Sequence, residues 1–230
     1  MNKTYKTLLF DADNTLLDFS KTEHHALEQT FKHFGIHLSP EIRELYSDIN
    51  HSLWQDFEAG LIDKETVVQT RFYILFKELE IPVDGHAFEA YYQPALGAGA
   101  FLIDGAQKLC AELSSHYDLY IVTNGVSSTQ HSRLAATGLD RYMKDIFVSE
   151  DLKSQKPQKR YFDQVFDRIP GFSKSSALII GDSLTSDIAG GIAAGIDTCW
   201  FNPDHKPSSR HIHPTYQIHK LDELFHILKR

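Results

Sequence analysis

Four short stretches of this sequence bring together side chains that can act on an anionic substrate. In the first, Phe10-Asp11-Ala12-Asp13-Asn14-Thr15, the apolar run Leu8-Leu9-Phe10 stops at two carboxylates one residue apart, with a hydroxyl two residues further on. Carboxylates this close repel unless a cation lies between them or one holds a proton. The pair therefore points to a metal, to acid/base chemistry, or to both. In the second stretch, Ile121-Val122-Thr123-Asn124-Gly125, a hydroxyl, backbone N–H groups and a glycine follow an apolar run. That combination suits a cradle for phosphate oxygens, although Thr-Asn-Gly is also an ordinary turn. The third is Lys156-Pro157, where a lysine can neutralise anions gathered at one site. The fourth follows Leu178-Ile179-Ile180: Gly181 permits a tight turn, Asp182 projects past the apolar run, and Asp187 lies one turn further on.

These residues need strand ends to hold them, and the sequence provides strands. From Asp104 onward helix and strand alternate: helix 105–114, strand 119–123, helix 128–136, strand 146–148, helix 160–168, strand 177–180, helix 188–194 and strand 198–201. Short, apolar, β-branched strands separated by helices predict an α/β fold with a doubly wound parallel sheet, a Rossmann-like core. Ligands of such sheets sit beyond the carboxyl ends of the strands. Between Phe19 and Tyr92 the pattern is helical throughout, and Ser20 with Glu23 reads as a capping box that opens the first helix. Breaks at Gly35, Ser39-Pro40, Gly60 and Pro82 to Gly85 divide the span into four or five helices. Residues 93–100, rich in proline and small side chains, suit a hinge whose second crossing lies near Leu16 to Phe19. The expected organisation is a catalytic core of residues 1–16 and 98–230 with an inserted helical domain, 17–97. Twelve aromatic residues fall between Phe19 and Tyr92. At helical spacing aromatic side chains pack a core, and one or two could also line a pocket for a flat ring.

The four stretches, in this order, resemble the four motifs of the haloacid dehalogenase superfamily, and the insertion resembles that superfamily's helical cap. Residues 49–60 and the segment Asp197-Thr198-Cys199-Trp200-Phe201-Asn202-Pro203 are similar to the bacterial branch of pyrimidine 5′-nucleotidases. The segment Asp151-Leu152-Lys153-Ser154-Gln155 departs from the pattern, lacking the glycine that many relatives carry there. The resemblance implies a Mg²⁺-dependent phosphomonoester hydrolase with an aspartyl-phosphate intermediate. By it Asp11 is the nucleophile and Asp13 the general acid/base. Thr123 and the Asn124 N–H hold phosphate, and Lys156 balances charge. Asp11, Asp13 and Asp182 hold the metal, with Asp187 behind them. A pyrimidine nucleoside 5′-monophosphate is the implied substrate. Phosphoglycolate or a sugar phosphate, phosphomutase activity, metal-free dehalogenation and a non-enzymatic phosphoaspartate switch are the alternatives.

Composition narrows the field further. Hydrophobic content of 42% with 23% charged residues is that of a folded globular protein, which excludes disorder. A formal net charge of −8 argues against nucleic-acid polymers, which need a basic surface, and leaves a small phosphorylated metabolite as the expected partner. No apolar run reaches the roughly 20 residues of a membrane helix, and no signal-peptide core follows Met1. We expect a cytoplasmic monomer or homodimer, with Cys110 and Cys199 as reduced, buried thiols. Of the thirteen histidines, His24-His25, His33, His37 and the late pair His211 and His213 are read as surface residues and not as zinc ligands.

Overall fold

The computed structural model describes residues 4–228. The chain divides into two compact units, one formed by the residues up to Phe19 and from Ala100 onward, the other by Ser20–Gly99.

The second unit consists of α1 (Phe19–His33), α2 (Pro40–Glu58), α3 (Lys64–Glu78) and α4 (Gly85–Gly97). Side-chain caps begin three of them: Ser39 accepts the Ile42 N–H at 3.3 Å with Pro40 at the first helical position, Asp63 accepts the Thr66 N–H at 2.8 Å, and Asp84 accepts the His86 N–H at 3.0 Å. α1 begins one residue before the expected cap, so Ser20 lies inside the first turn. The expected hinge at 93–100 is shortened from its start: the two units divide between Gly99 and Ala100, within that span, but helix occupies most of it. α4 continues through Pro94 to Gly97, because Tyr92 and Leu96, four residues apart, are both buried on one face, and that packing outweighs the helix-breaking proline. Gly85 lets α4 approach α3, since a Cβ there would come within 2.6 Å of the Tyr73 backbone nitrogen.

Most of the aromatic residues in this unit pack against one another. Phe72 lies 4.5 Å from Phe88 and 5.0 Å from both Tyr46 and Tyr92, centroid to centroid, and Phe31 meets Phe88 at 4.9 Å. Below them Arg71 makes a two-pronged ion pair with Glu89, at 2.8 and 2.6 Å, and donates to the Asn50 side-chain oxygen at 3.2 Å. Only Tyr73 and Tyr91 are exposed among the tyrosines and phenylalanines of these helices. The flat-ring reading of the aromatic stripe is thereby reduced to Phe19, Phe34, Trp54, Tyr73 and Tyr91, which are not buried.

In the first unit β1 (Thr7–Phe10), β2 (Asp118–Thr123), β3 (Asp145–Val148), β4 (Ala177–Gly181), β5 (Asp197–Phe201) and β6 (Tyr216–Ile218) form one sheet in the order β3-β2-β1-β4-β5-β6. Every neighbouring pair is parallel, as the alternation of elements predicted. The helices are α5 (Ala106–Leu113), α6 (Ser127–Thr137), α7 (Ser149–Leu152), α8 (Lys159–Arg168), α9 (Ala189–Ala194) and α10 (Leu224–Ile227). Both faces of the sheet are covered, which is why its inner strands are continuous apolar runs. Leu8, Phe10, Ile121 and Ile180 pack with Leu109 and Leu113 of α5, whereas Leu9, Val122 and Ile179 pack with Tyr161, Phe162 and Val165 of α8. The sequence pattern missed β6 and α10, because three- and four-residue elements carry too little periodicity to detect.

Register then aligns the chemistry. Phe10 pairs with Ile121 on one side and Ile180 on the other, so the segments after β1, β2 and β4 leave the sheet at the same edge. Strand order reverses between β1 and β4, and such switch points are where doubly wound sheets bind ligands. The two chain crossings toward the helical unit run side by side here. Leu17 pairs antiparallel with Leu102, and the Asp18 N–H donates to the Phe101 carbonyl at 3.0 Å.

Candidate active site

The centre of the site is a buried lysine. Lys156 uses all three ammonium donors, giving hydrogen bonds of 2.6 Å to Asp11 Oδ1, 2.6 Å to Asp187 Oδ1 and 2.8 Å to the Val122 carbonyl. Burial by itself pushes a lysine toward its neutral form, but Asp11 and then Asp187 overcome this and hold the ammonium charged. Asp11 is fixed by its own N–H, which donates to the Ile180 carbonyl at 2.9 Å, and by Thr15 Oγ1, which donates to its second carboxylate oxygen at 3.2 Å. Asp187 sits on a π-helical turn, Leu184–Ile188, and also accepts the Ser183 N–H at 3.1 Å. Gly181 is needed here for proximity rather than for a turn. A Cβ on it would lie 2.2 Å from Asp187 Oδ2.

Asn124 clamps the lysine loop. Its side chain donates to the Lys156 carbonyl at 3.0 Å and accepts the Lys156 N–H at 2.9 Å. The side chain therefore supports Lys156, an arrangement that the expected role of the Asn124 N–H did not include. The loop before it keeps a left-handed residue without glycine: Lys153 has φ 50 at the end of α7, a position that favours glycine.

Asp13, half-exposed, faces two residues that the sequence reading missed. Arg133 donates to Oδ1 and Gln130 to Oδ2, both from α6. Gln130 Nε2 also donates to Thr123 Oγ1 at 2.8 Å, and the Gly125 N–H donates to the same oxygen at 3.1 Å. A signal was available in the sequence. Residues 127–137 hold few apolar side chains for a helix that covers a sheet, so its buried face is polar: Thr129, Gln130 and Arg133 beside Leu134.

Asp182 follows Gly181, and its carbonyl accepts the indole N–H of the buried Trp200 at 2.9 Å. One carboxylate oxygen from each of Asp11, Asp182 and Asp187 lies within 4.8 Å of the others. Three carboxylates against one ammonium leave an excess of two negative charges in a largely buried place. Hard oxygen donors with that excess fit a divalent cation such as Mg²⁺. Without a metal, burial raises the Asp11 carboxyl well above the ordinary range; Lys156 opposes the rise, while Asp187, Asp182 and Asp13 add to it. Burial, followed by Asp187, pushes Asp182 up to about 7.

A pH dependence follows. The folded state holds the Asp182 proton more tightly than the unfolded chain does, so metal-free stability falls as pH rises from about 4 through about 7. In a chelator, Tm is expected to be lower at pH 8 than at pH 5.5, and added Mg²⁺ is expected to raise it more at pH 8, where no proton has to be displaced. Asp182→Asn should flatten both trends. If Mg²⁺ lifts the Tm of Asp182→Asn as much as that of the wild type, Asp182 does not belong to the metal set.

A buried lysine ringed by carboxylates at the switch point of a doubly wound sheet marks an α/β enzyme. The chain belongs to the haloacid dehalogenase-like (HAD) hydrolases, whose family profile matches residues 8–201. It is 53% identical to the HAD-hydrolase YfnB of Bacillus subtilis, over 98% of this chain and 96% of the relative. The crystal structure of YfnB bound to magnesium aligns with 99% of this chain and 100% of its own at a TM-score of 0.95. Two further relatives are the pyrimidine 5′-nucleotidases PynA of Streptococcus pneumoniae, 40% identical over 98% of this chain and 96% of its own, and YjjG of Escherichia coli, 32% identical over 96% of each. Among the described residues no helix is long and apolar enough to cross a membrane.

Proposed function

We propose that this hydrolase is a Mg²⁺-dependent phosphomonoesterase acting through an aspartyl-phosphate, with pyrimidine nucleoside 5′-monophosphates as its preferred substrates. The observation that carries the mechanism is the Lys156 ammonium bonded to both Asp11 and Asp187. It holds the Asp11 carboxylate in one orientation and offsets the charge of an incoming phosphoryl group.

Asp11 attacks phosphorus, the ester P–O bond breaks, and Asp13 gives its proton to the leaving alkoxide. Asp13 then takes a proton from the water that attacks the phosphoaspartate, which returns Asp11 and releases phosphate. Thr123 Oγ1 already accepts two hydrogen bonds, so its own hydrogen is left to donate to a phosphate oxygen, beside the Asn124 N–H. Mg²⁺, held by Asp11, the Asp13 carbonyl and Asp182 with Asp187 behind them, would supply charge neutralisation at the phosphoryl oxygens.

The pyrimidine preference is supported by the likeness to PynA and YjjG. Stacking on the aromatic stripe supports it less, because most of those rings are spent on packing. The two buried, unbridged cysteines suit a reducing compartment. The test is a panel under one Mg²⁺ concentration: UMP, dUMP, dTMP, purine nucleotides, phosphoglycolate and hexose phosphates. The pyrimidine nucleotides are expected to give the highest kcat/KM, by about tenfold or more, the scale of one well-made base contact. A hexose phosphate or phosphoglycolate at the head of the ranking would end the nucleotidase reading and leave the phosphatase mechanism standing.

A further inference from the structure

We infer that Gln130 and Arg133 of α6 form a positioning frame for Asp13, and that Gly125 exists to admit it. The inference rests on the acid/base role given to Asp13 above. The two residues are three apart and therefore share a helix face. Each engages a different oxygen of the Asp13 carboxylate: Arg133 Nη1 holds Oδ1 and Gln130 Nε2 holds Oδ2. Arg133 Nη1 also donates to Gln130 Oε1 at 3.3 Å, which closes a ring of three side chains. One donor per oxygen fixes the plane of the carboxyl group, while each oxygen keeps a second lone-pair position where the catalytic proton can sit.

Arg133 and Gln130 are both fully buried, at 0% and 1% exposure, so their side chains cannot swing away into solvent. Gln130 extends the frame to the phosphate cradle through its 2.8 Å bond to Thr123 Oγ1. Acid and cradle are thus set relative to each other by a single amide. Gly125 makes room for that amide, since a Cβ at position 125 would lie 2.2 Å from Gln130 Nε2 and 2.7 Å from its Cγ and Cδ. Its φ is not in the left-handed region, so close approach, rather than backbone freedom, accounts for the glycine.

The frame matters only when the leaving group needs a proton. An alkoxide must be protonated as the P–O bond breaks, whereas p-nitrophenolate leaves without help. The experiment compares Arg133→Lys, Gln130→Met and Gly125→Ala with wild type and Asp13→Asn. In each, the single-turnover rate of Asp11 phosphorylation is measured at saturating UMP and at saturating p-nitrophenyl phosphate, after circular dichroism has established the folded state. Effects on phosphate binding are common to both substrates and cancel in the ratio of the two rates. Asp13→Asn is expected to lower the UMP to p-nitrophenyl phosphate ratio by about 10²–10⁴, the worth of a positioned proton donor. The three frame variants are expected to lower it by about 10–100-fold, the cost of a small misplacement. A merely structural role would slow both substrates alike and leave the ratio unchanged. That result in the folded variants, with the ratio still falling in Asp13→Asn, overturns the frame alone. An unchanged ratio in Asp13→Asn itself removes the acid assignment and the frame with it.

Discussion

Asp11→Asn is expected to lose at least about 10⁴-fold in turnover, on the scale of removing a nucleophile from a unit that acts together, while folding as well as the wild type or better. The activity loss follows from chemistry, since an amide of the same shape has no anionic oxygen to attack phosphorus. The stability expectation follows from the site. Asn can turn its carbonyl oxygen toward Lys156 and its amide toward the Thr15 hydroxyl, preserving both contacts that Asp11 makes. It also removes one charge from a cluster that carries two negative charges in excess and in which burial works against the Asp11 carboxylate. Urea midpoints measured in chelator should therefore rise or stay level. Intact-mass analysis after an acid quench should find a phosphorylated chain in the wild type and none in the variant. Turnover at the wild-type rate by the purified variant would remove Asp11 from the reaction.

Lys156→Met is expected to damage activity and stability together. Losing a preorganised charge at the reacting group costs about 10²–10³ in rate. Losing one partner of a buried ion pair costs about 3–5 kcal/mol because a buried charge is left uncompensated. Here two carboxylates, Asp11 and Asp187, would be left beside each other, both nearly inaccessible to water. The sign of the pH dependence follows. Lys156 is the main group that opposes the rise of the Asp11 carboxyl, so without it the proton is held more tightly in the folded state. Stability of the variant then falls further as pH rises, and the deficit measured by urea unfolding should be larger at pH 8 than at pH 5. A methionine variant with the wild-type urea midpoint and rate would refute the reading of Lys156 as the charge balance of the site.

The sequence by itself determined the candidate site residues that stand at strand ends and the order of the elements that carry them. Asp11 and Asp13 end an apolar strand, Thr123 and Asp182 end two more, and the alternation from Asp104 onward demanded a parallel sheet with helices on both faces. Each of these signals lies within a few residues of chain, where strand period, turn residues and carboxylate spacing are local properties. What only the tertiary structure decided depends on which strands become neighbours. Asp11 and Lys156 are 145 residues apart in sequence, and Asp13 and Gln130 are 117 apart. No local pattern states that β1 lies between β2 and β4, yet that order brings the lysine, the three carboxylates and the face of α6 to one edge. The glycines make the same point. Gly125 and Gly181 read as turn residues in the sequence, but in the fold each clears space for a side chain, Gln130 and Asp187, that arrives from later in the chain. Aromatic content pointed to a packed core but could not name which rings were left over, because periodicity does not say whether a given Phe or Tyr of a helix faces a ligand or its neighbours. Close packing decided that most of these rings face one another, since a four-helix unit of this size must fill its interior with the large apolar side chains it has, and the rings do so together with Leu27, Val67, Leu75 and Leu96.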